Sequence, residues 1–214
     1  MTLGKMVLGD RINWVLHNKK FVFMILKKCA SVTMKKVILS SLGYEDVSSE
    51  NINRLTDDYF PLSMDKYKLD ALDYDKVVWV RNPFDRLVSA WSHRVRNNKK
   101  HSIRDYGIPH TTSFEDYIDY ICSFKDEDLN VHFHQQTFNI AINDRLVPNI
   151  VVKIENLQEE WERVRERFEW LAPIKWHAHK SEKRGDYRRY YTKDLIKKVN
   201  NRFAKDLELL GYEF

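Results

Sequence analysis

The chain has 214 residues, 43% hydrophobic and 31% charged, with 36 Lys and Arg against 31 Asp and Glu for a net charge of +5. That balance is globular rather than disordered or fibrous, and at roughly 150 residues per domain we read one domain over 1–214. Two cysteines, Cys29 and Cys122, exclude a disulfide scaffold or Cys-rich zinc module, and six scattered glycines exclude G-x-G-x-x-G and Walker A loops.

The first apolar run, Phe21–Leu26, reads as a strand buried on both faces, as in a parallel sheet. Six residues are far short of the ~20 needed to span a bilayer. No apolar leader precedes the run, so the expectation is a soluble, cytoplasmic chain. A turn at Cys29-Ala30-Ser31 leads to a helix carrying Met34, Val37, Ile38 and Leu42. Val77–Val80 reads as a second buried strand. Its successor helix has Asn82 as N-cap, Pro83 at the first helical position and Asp85 three residues past the cap. Residues 43–74 and 97–112 read as irregular. A third strand, Ile150–Ile154, leads into Glu155-Asn156-Leu157 and a charged helix to about Leu171. The last helix starts after Thr192, keeps apolar spacing from Leu195 to Leu210, and ends at Gly211 as C-cap. Strand–helix alternation predicts a three-layer α/β domain.

In such a sheet, ligands bind beyond the carboxyl ends of the strands. Lys27-Lys28-Cys29-Ala30-Ser31-Val32-Thr33 occupies that place after the first strand. Small residues let the backbone curl, helix N–H groups favour an anion, Lys28 adds charge, and the Ser31 and Thr33 hydroxyls can donate. The same residues also fit a plain strand end with solubilising lysines. Arg81 ends the second strand and Ser89 lies two helical turns on, while Arg86, Ser89 and His93 share a stripe by spacing. A strand-end arginine and a helix hydroxyl can hold a phosphate; the alternative is an Arg81–Asp85 ion pair. Two anion sites at consecutive strand ends suggest one ligand with two phosphate-like groups.

These residues resemble the sulfotransferases that use 3′-phosphoadenosine 5′-phosphosulfate (PAPS), most nearly their Golgi carbohydrate branch of chondroitin 4-O- and heparan 2-O-type enzymes. Arg81-Asn82-Pro83-Phe84-Asp85-Arg86-Leu87-Val88-Ser89-Ala90-Trp91 is similar to the family's 3′-phosphate motif, which puts the 3′-phosphate ligands on Arg81 and Ser89. Lys28, Cys29, Ala30, Ser31, Val32 and Thr33 fall on its 5′-phosphosulfate loop, with Lys27, Val32 and Met34 standing where the family has proline, threonine and an aromatic. Asn130–Gln136 keeps a histidine, an aromatic and a final glutamine of a further motif. Lys153–Leu157 and the Tyr190-Tyr191-Thr192…Gly211-Tyr212 ending also match in order.

The resemblance implies a P-loop-like fold with a central parallel sheet flanked by helices, and sulfuryl transfer from PAPS to a hydroxyl, carbohydrate above all. It makes Lys28 the charge-stabilising residue and His132 the general base, with His134 and Glu155 as other candidates, and Ser181 a donor contact. His132-x-His134 and His177-x-His179 lack a carboxylate or cysteine at ligand spacing, so no metal is expected. Expected partners are PAPS, adenosine 3′,5′-bisphosphate and a glycan or other hydroxyl acceptor, without nucleic acid or a membrane segment. The rival readings are a P-loop kinase-like phosphotransferase and an inactive sulfotransferase-like binding protein.

Overall fold

The structure, a computed structural model, describes residues 13–45, 47, 52, 64–99, 102–175 and 185–214. Among them are strands β1 (Asn13–Leu16), β2 (Phe21–Met24), β3 (Asp75–Val80), β4 (Ala141–Ile142), β5 (Arg145–Leu146) and β6 (Ile150–Lys153). The helices are α1 (Ser31–Ser41), α2 (Lys66–Asp70), α3 (Pro83–Ala90), α4 (Ser102–Tyr106), α5 (Phe114–Cys122), α6 (Gln136–Ile140), α7 (Leu157–Arg167), α8 (Lys193–Arg202) and α9 (Ala204–Leu210). The central sheet runs β1-β2-β3-β6. β2, β3 and β6 are mutually parallel, with Met24 opposite Val78 and Val80 opposite Lys153. This is the expected α/β architecture, a mostly parallel sheet flanked by helices.

Strand periodicity explains the layers, because successive side chains leave opposite faces. Phe21, Phe23, Val77 and Trp79 pack on one face against Met34, Val37 and Ile38 of α1 and Trp161 of α7. Val22, Met24, Val78 and Val80 pack on the other against Leu69 of α2 and Leu210 of α9. All eight strand side chains are essentially sealed from water. A third apolar cluster joins α3, α5 and α8 through Leu87, Ile118, Leu195 and Phe203.

The caps follow local chemistry. Phe84 N–H donates to Asn82 Oδ1 at 3.0 Å, Leu195 N–H to Thr192 Oγ1 at 3.3 Å, and Gly211 takes φ +62° at the end of α9.

Several boundaries differ from the sequence expectation. β2 stops at Met24 rather than Leu26, and α7 stops at Arg167 rather than Leu171. The last helix breaks at Phe203, whose φ of −109° and ψ of 23° leave the helical basin. Several elements went unforeseen, among them α2 inside the stretch 43–74 that reads as irregular, and α5 and α6. β1 pairs antiparallel with β2, held at its start by Asn13 Nδ2 donating to Met64 O at 2.7 Å. The β4–β5 hairpin turns on Asn143 and Asp144, both at positive φ, as a two-residue primed turn requires. Short α4 interrupts the stretch 97–112 that reads as irregular.

Because β2, β3 and β6 are parallel, the loops after them gather at one end of the sheet. That end carries the candidate residues.

Candidate active site

After β2, Lys28 at φ +67° and Ala30 at φ +53° flank Cys29, two left-handed non-glycine residues in three. Each such residue costs about 1–2 kcal/mol, and strain of this kind concentrates at functional loops. This loop leads directly into the N-terminus of α1, whose first N–H groups have no partner within the helix. Val32 is 48% exposed at the helix start, whereas Thr33 is 8% exposed. The outward side chain is therefore the valine, and the Thr33 hydroxyl expected to face a ligand lies inside. Ser31 is half-buried.

At the end of β3, Arg81 forms the ion pair with Asp85 that the sequence left open. Its Nε lies 2.7 Å and its Nη2 2.6 Å from Asp85 Oδ2, while Nη1 donates to Lys28 O at 3.1 Å. The guanidinium thus joins the two loops directly. Arg81, Asp85 and Ser89 recur every four residues, so Ser89, half-buried, shares the Arg81 side of α3. Arg86 departs from the stripe proposed with Ser89 and His93. It is 1% exposed, donates to Lys27 O at 3.0 Å and His134 O at 2.7 Å, and ties the first loop to the histidine segment.

α3 runs into a π-helical turn, Trp91–Arg96, that carries His93 and Arg94. The Lys28 ammonium, burial and Arg94 together hold His93 below its ordinary value. Lys28 is thus near enough to this turn for its charge to act on His93.

His132 lies in a turn closed by Phe133 N–H to Asn130 O at 2.8 Å, not in the extended segment that would align it with His134. It is 5% exposed. Asn130 Oδ1 accepts from the His132 main-chain N–H at 3.1 Å and faces Nδ1 at 2.7 Å. An amide oxygen so placed demands a proton on Nδ1, leaving a lone pair on Nε2. That Nε2 is buried with no hydrogen-bond partner among the described residues, as is Arg94 Nε. Burial first, then Arg94, Lys27, Lys28 and Arg86, push His132 down to about 2, so the ring is neutral.

His134 instead donates from Nε2 to Leu129 O at 2.9 Å. Glu155 is engaged at both oxygens, accepting from Asn82 N–H at 2.7 Å and Tyr212 Oη at 2.9 Å. It caps α3 in the role the sequence assigned to Asp85. Beside it, Asn82, Asp85, Tyr187, Arg188 and Phe214 line a cavity of about 330 Å³.

Ser181, His177 and His179 lie outside the described residues. Among the described residues, no His, Cys, Asp or Glu cluster is placed to hold a metal ion, and no helix is long and apolar enough to cross a membrane.

Two residues escaped notice as site elements. Arg94 carries no signal beyond its charge. Gln136, the glutamine closing the Asn130–Gln136 motif, proves to be a buried connector.

The loop with left-handed Lys28 and Ala30, the strand-end Arg81 and the buried, neutral His132 lie at the carboxyl edge of the parallel sheet. The family model of the sulfotransferase family matches residues 13–213, and the chain belongs to that family. Its reaction class is sulfuryl transfer. No curated protein and no solved structure matches the chain.

Proposed function

We propose that the chain transfers a sulfuryl group from PAPS to a hydroxyl, a sugar hydroxyl in particular. The observation carrying this reading is His132 Nε2, a buried lone pair without a partner, set among Arg94, Lys27, Lys28 and Arg86. The residues fit the donor chemically: a helix N-terminus and four cations suit an anion, and Arg81 with Ser89 offers a second anion subsite. The donor supplies the activated sulfuryl group and the bisphosphate that leaves.

Lys28 neutralises charge that builds on the 5′-side oxygens as the bond to sulfur breaks. The main chain of Cys29 and Ala30, with Ser31, Val32 and Thr33 in the first turn, cradles that end. Arg81 and Ser89 hold the 3′-phosphate, for which Arg81 uses the N–H groups left beyond Asp85 and Lys28 O. His132 Nε2 accepts the acceptor hydroxyl's proton, and Asn130 keeps the ring in the required tautomer. Burial above all, and then the surrounding cations, keep His132 neutral before the donor arrives. Donor negative charge offsets the cations and raises its proton affinity when it is needed. Glu155 is already committed at both oxygens. His134 donates from Nε2 to Leu129 O and also keeps a buried Nδ1 without a partner among the described residues, so the choice of His132 rests on the cations around it.

Calorimetric titration with adenosine 3′,5′-bisphosphate tests the reading. Micromolar binding of the bisphosphate but not ATP, weakened by Arg81→Ala and by Ser89→Ala, is the expected result. Equal or tighter binding of ATP supports a kinase-like reading, and no nucleotide binding leaves a relative without activity.

A further inference from the structure

Gln136 is 0% exposed, and its carboxamide uses every hydrogen-bonding position it has. Nε2 donates to Arg81 O at 2.8 Å and to Asp206 Oδ2 at 3.3 Å. Oε1 accepts from Arg81 N–H at 2.9 Å and from Cys29 Sγ at 3.1 Å. The orientation is unique, since a flipped amide would set oxygen against two acceptors and NH₂ against two donors.

The residue is itself anchored. Asp206 of α9 accepts from Gln136 N–H at 2.9 Å, Thr137 N–H at 2.8 Å and Thr137 Oγ1 at 2.7 Å. One step earlier, Asp126 accepts from Gln135 N–H at 2.7 Å. Six backbone and side-chain groups of one short helix start, Gln135 Nε2 and Gln136 Nε2 included, are thus pinned by two buried carboxylates.

We propose that Gln136 is a positioning residue that fixes the distance between the Cys29 loop and the Arg81 strand end, and so makes the site select ligands with two separated anionic groups. This rests on the donor reading above. The direct link between the loops, Arg81 Nη1 to Lys28 O, uses the very side chain that must contact a ligand. The Gln136 link grips the Arg81 main chain, N–H and C=O together, and leaves the guanidinium available. The loop on the other side contains left-handed Lys28 and Ala30, whose strain relaxes if the loop is released. Two half-sites held at one separation bind a two-headed ligand as a chelate. Half-sites that drift lose that advantage while each keeps its own affinity.

The test is calorimetry of the full chain with adenosine 3′,5′-bisphosphate, adenosine 5′-monophosphate and adenosine 3′-monophosphate. Circular dichroism and thermal unfolding monitor the fold of each variant. Gln136→Met, of similar shape and without the four bonds, is expected to weaken the bisphosphate about tenfold and each monophosphate less than about twofold. Cys29→Ala removes the thiol from Gln136 Oε1, along with its 3.6 Å contact to Lys27 O within the same loop, and is expected to give the same selective pattern at about threefold. If Gln136→Met does not fold, Cys29→Ala decides. Equal weakening of all three ligands, or unchanged bisphosphate binding in a folded variant, overturns the proposal. Failure of the unsubstituted chain to bind the bisphosphate overturns the donor reading instead.

Discussion

His132 makes the site's electrostatics measurable without a substrate. Its Nε2 is buried, its ring is 5% exposed, and Arg94, Lys27, Lys28 and Arg86 surround it, with Tyr106 edge-on at 5.8 Å. Folding lowers its proton affinity from an ordinary value near ~6.5 to about 2. Between those limits the unfolded chain binds a proton that the folded chain does not. Stability therefore rises with pH through this window, by about 1.4 kcal/mol per pH unit, and is fully present only above the unfolded value. pH 5 lies about 1.5 units below the unfolded value, so His132 alone removes about 2 kcal/mol between pH 8 and pH 5. Urea unfolding at a series of pH values, on the unsubstituted chain and His132→Asn, measures this. The variant loses ring packing at every pH, but its stability declines less steeply with acid by up to that slope. Asp126 and Asp206 titrate in both proteins and cancel in the comparison. Parallel stability curves from pH 6.5 to pH 5 would refute the picture of a neutral ring held among cations.

Two further outcomes test the frame around the site. Asn82→Ala removes the cap on Phe84 N–H and the bond to Glu213 O, while Glu155 still caps the backbone. A loss of about 1 kcal/mol in denaturant unfolding is expected, and weaker bisphosphate binding with it, since α3 carries Ser89. Arg202→Ala strips a bidentate partner from Asp126, which is 6% exposed and also anchors Gln135. Burial raises the Asp126 carboxyl, but hydrogen bonds from Arg202 and Gln135 outweigh it and hold the group below its usual range. Its stabilisation is present above the unfolded carboxylate value and fades as pH falls through the folded one. A loss of about 3 kcal/mol at pH 7, read by urea unfolding, is expected.

By itself the sequence determined what depends on neighbours in the chain. The short apolar runs at 21–26 and 77–80, rich in β-branched and aromatic residues, mark buried strands, and 150–154 marks a third strand that the structure leaves half-buried. Asn82-Pro83, Thr192 and Gly211 mark helix ends, because capping is satisfied within three residues. The order of Lys28, Arg81, Ser89 and the closing tyrosines marks the family.

Tertiary structure decided what depends on residues far apart in the chain. Arg86 shares a periodic stripe with Ser89 and His93, yet packing turned it inward to two carbonyls on other segments. Asp85 has the spacing of a helix-start acid, but Arg81 claimed it and Glu155, 73 residues from Asn82, took the cap. β1 is four residues long and gains its ladder only from β2, so no local pattern announces it. Gln136 and Asp206 are 70 residues apart, and only the packing of α6 beside α9 brings carboxamide and carboxylate together. The sequence offers the His132 ring in either tautomer; Asn130, burial of the ring and the cations around it leave one neutral form. Local propensity is written in short spacings, whereas burial and long-range hydrogen bonds depend on which faces meet, and those choose the chemistry of the site.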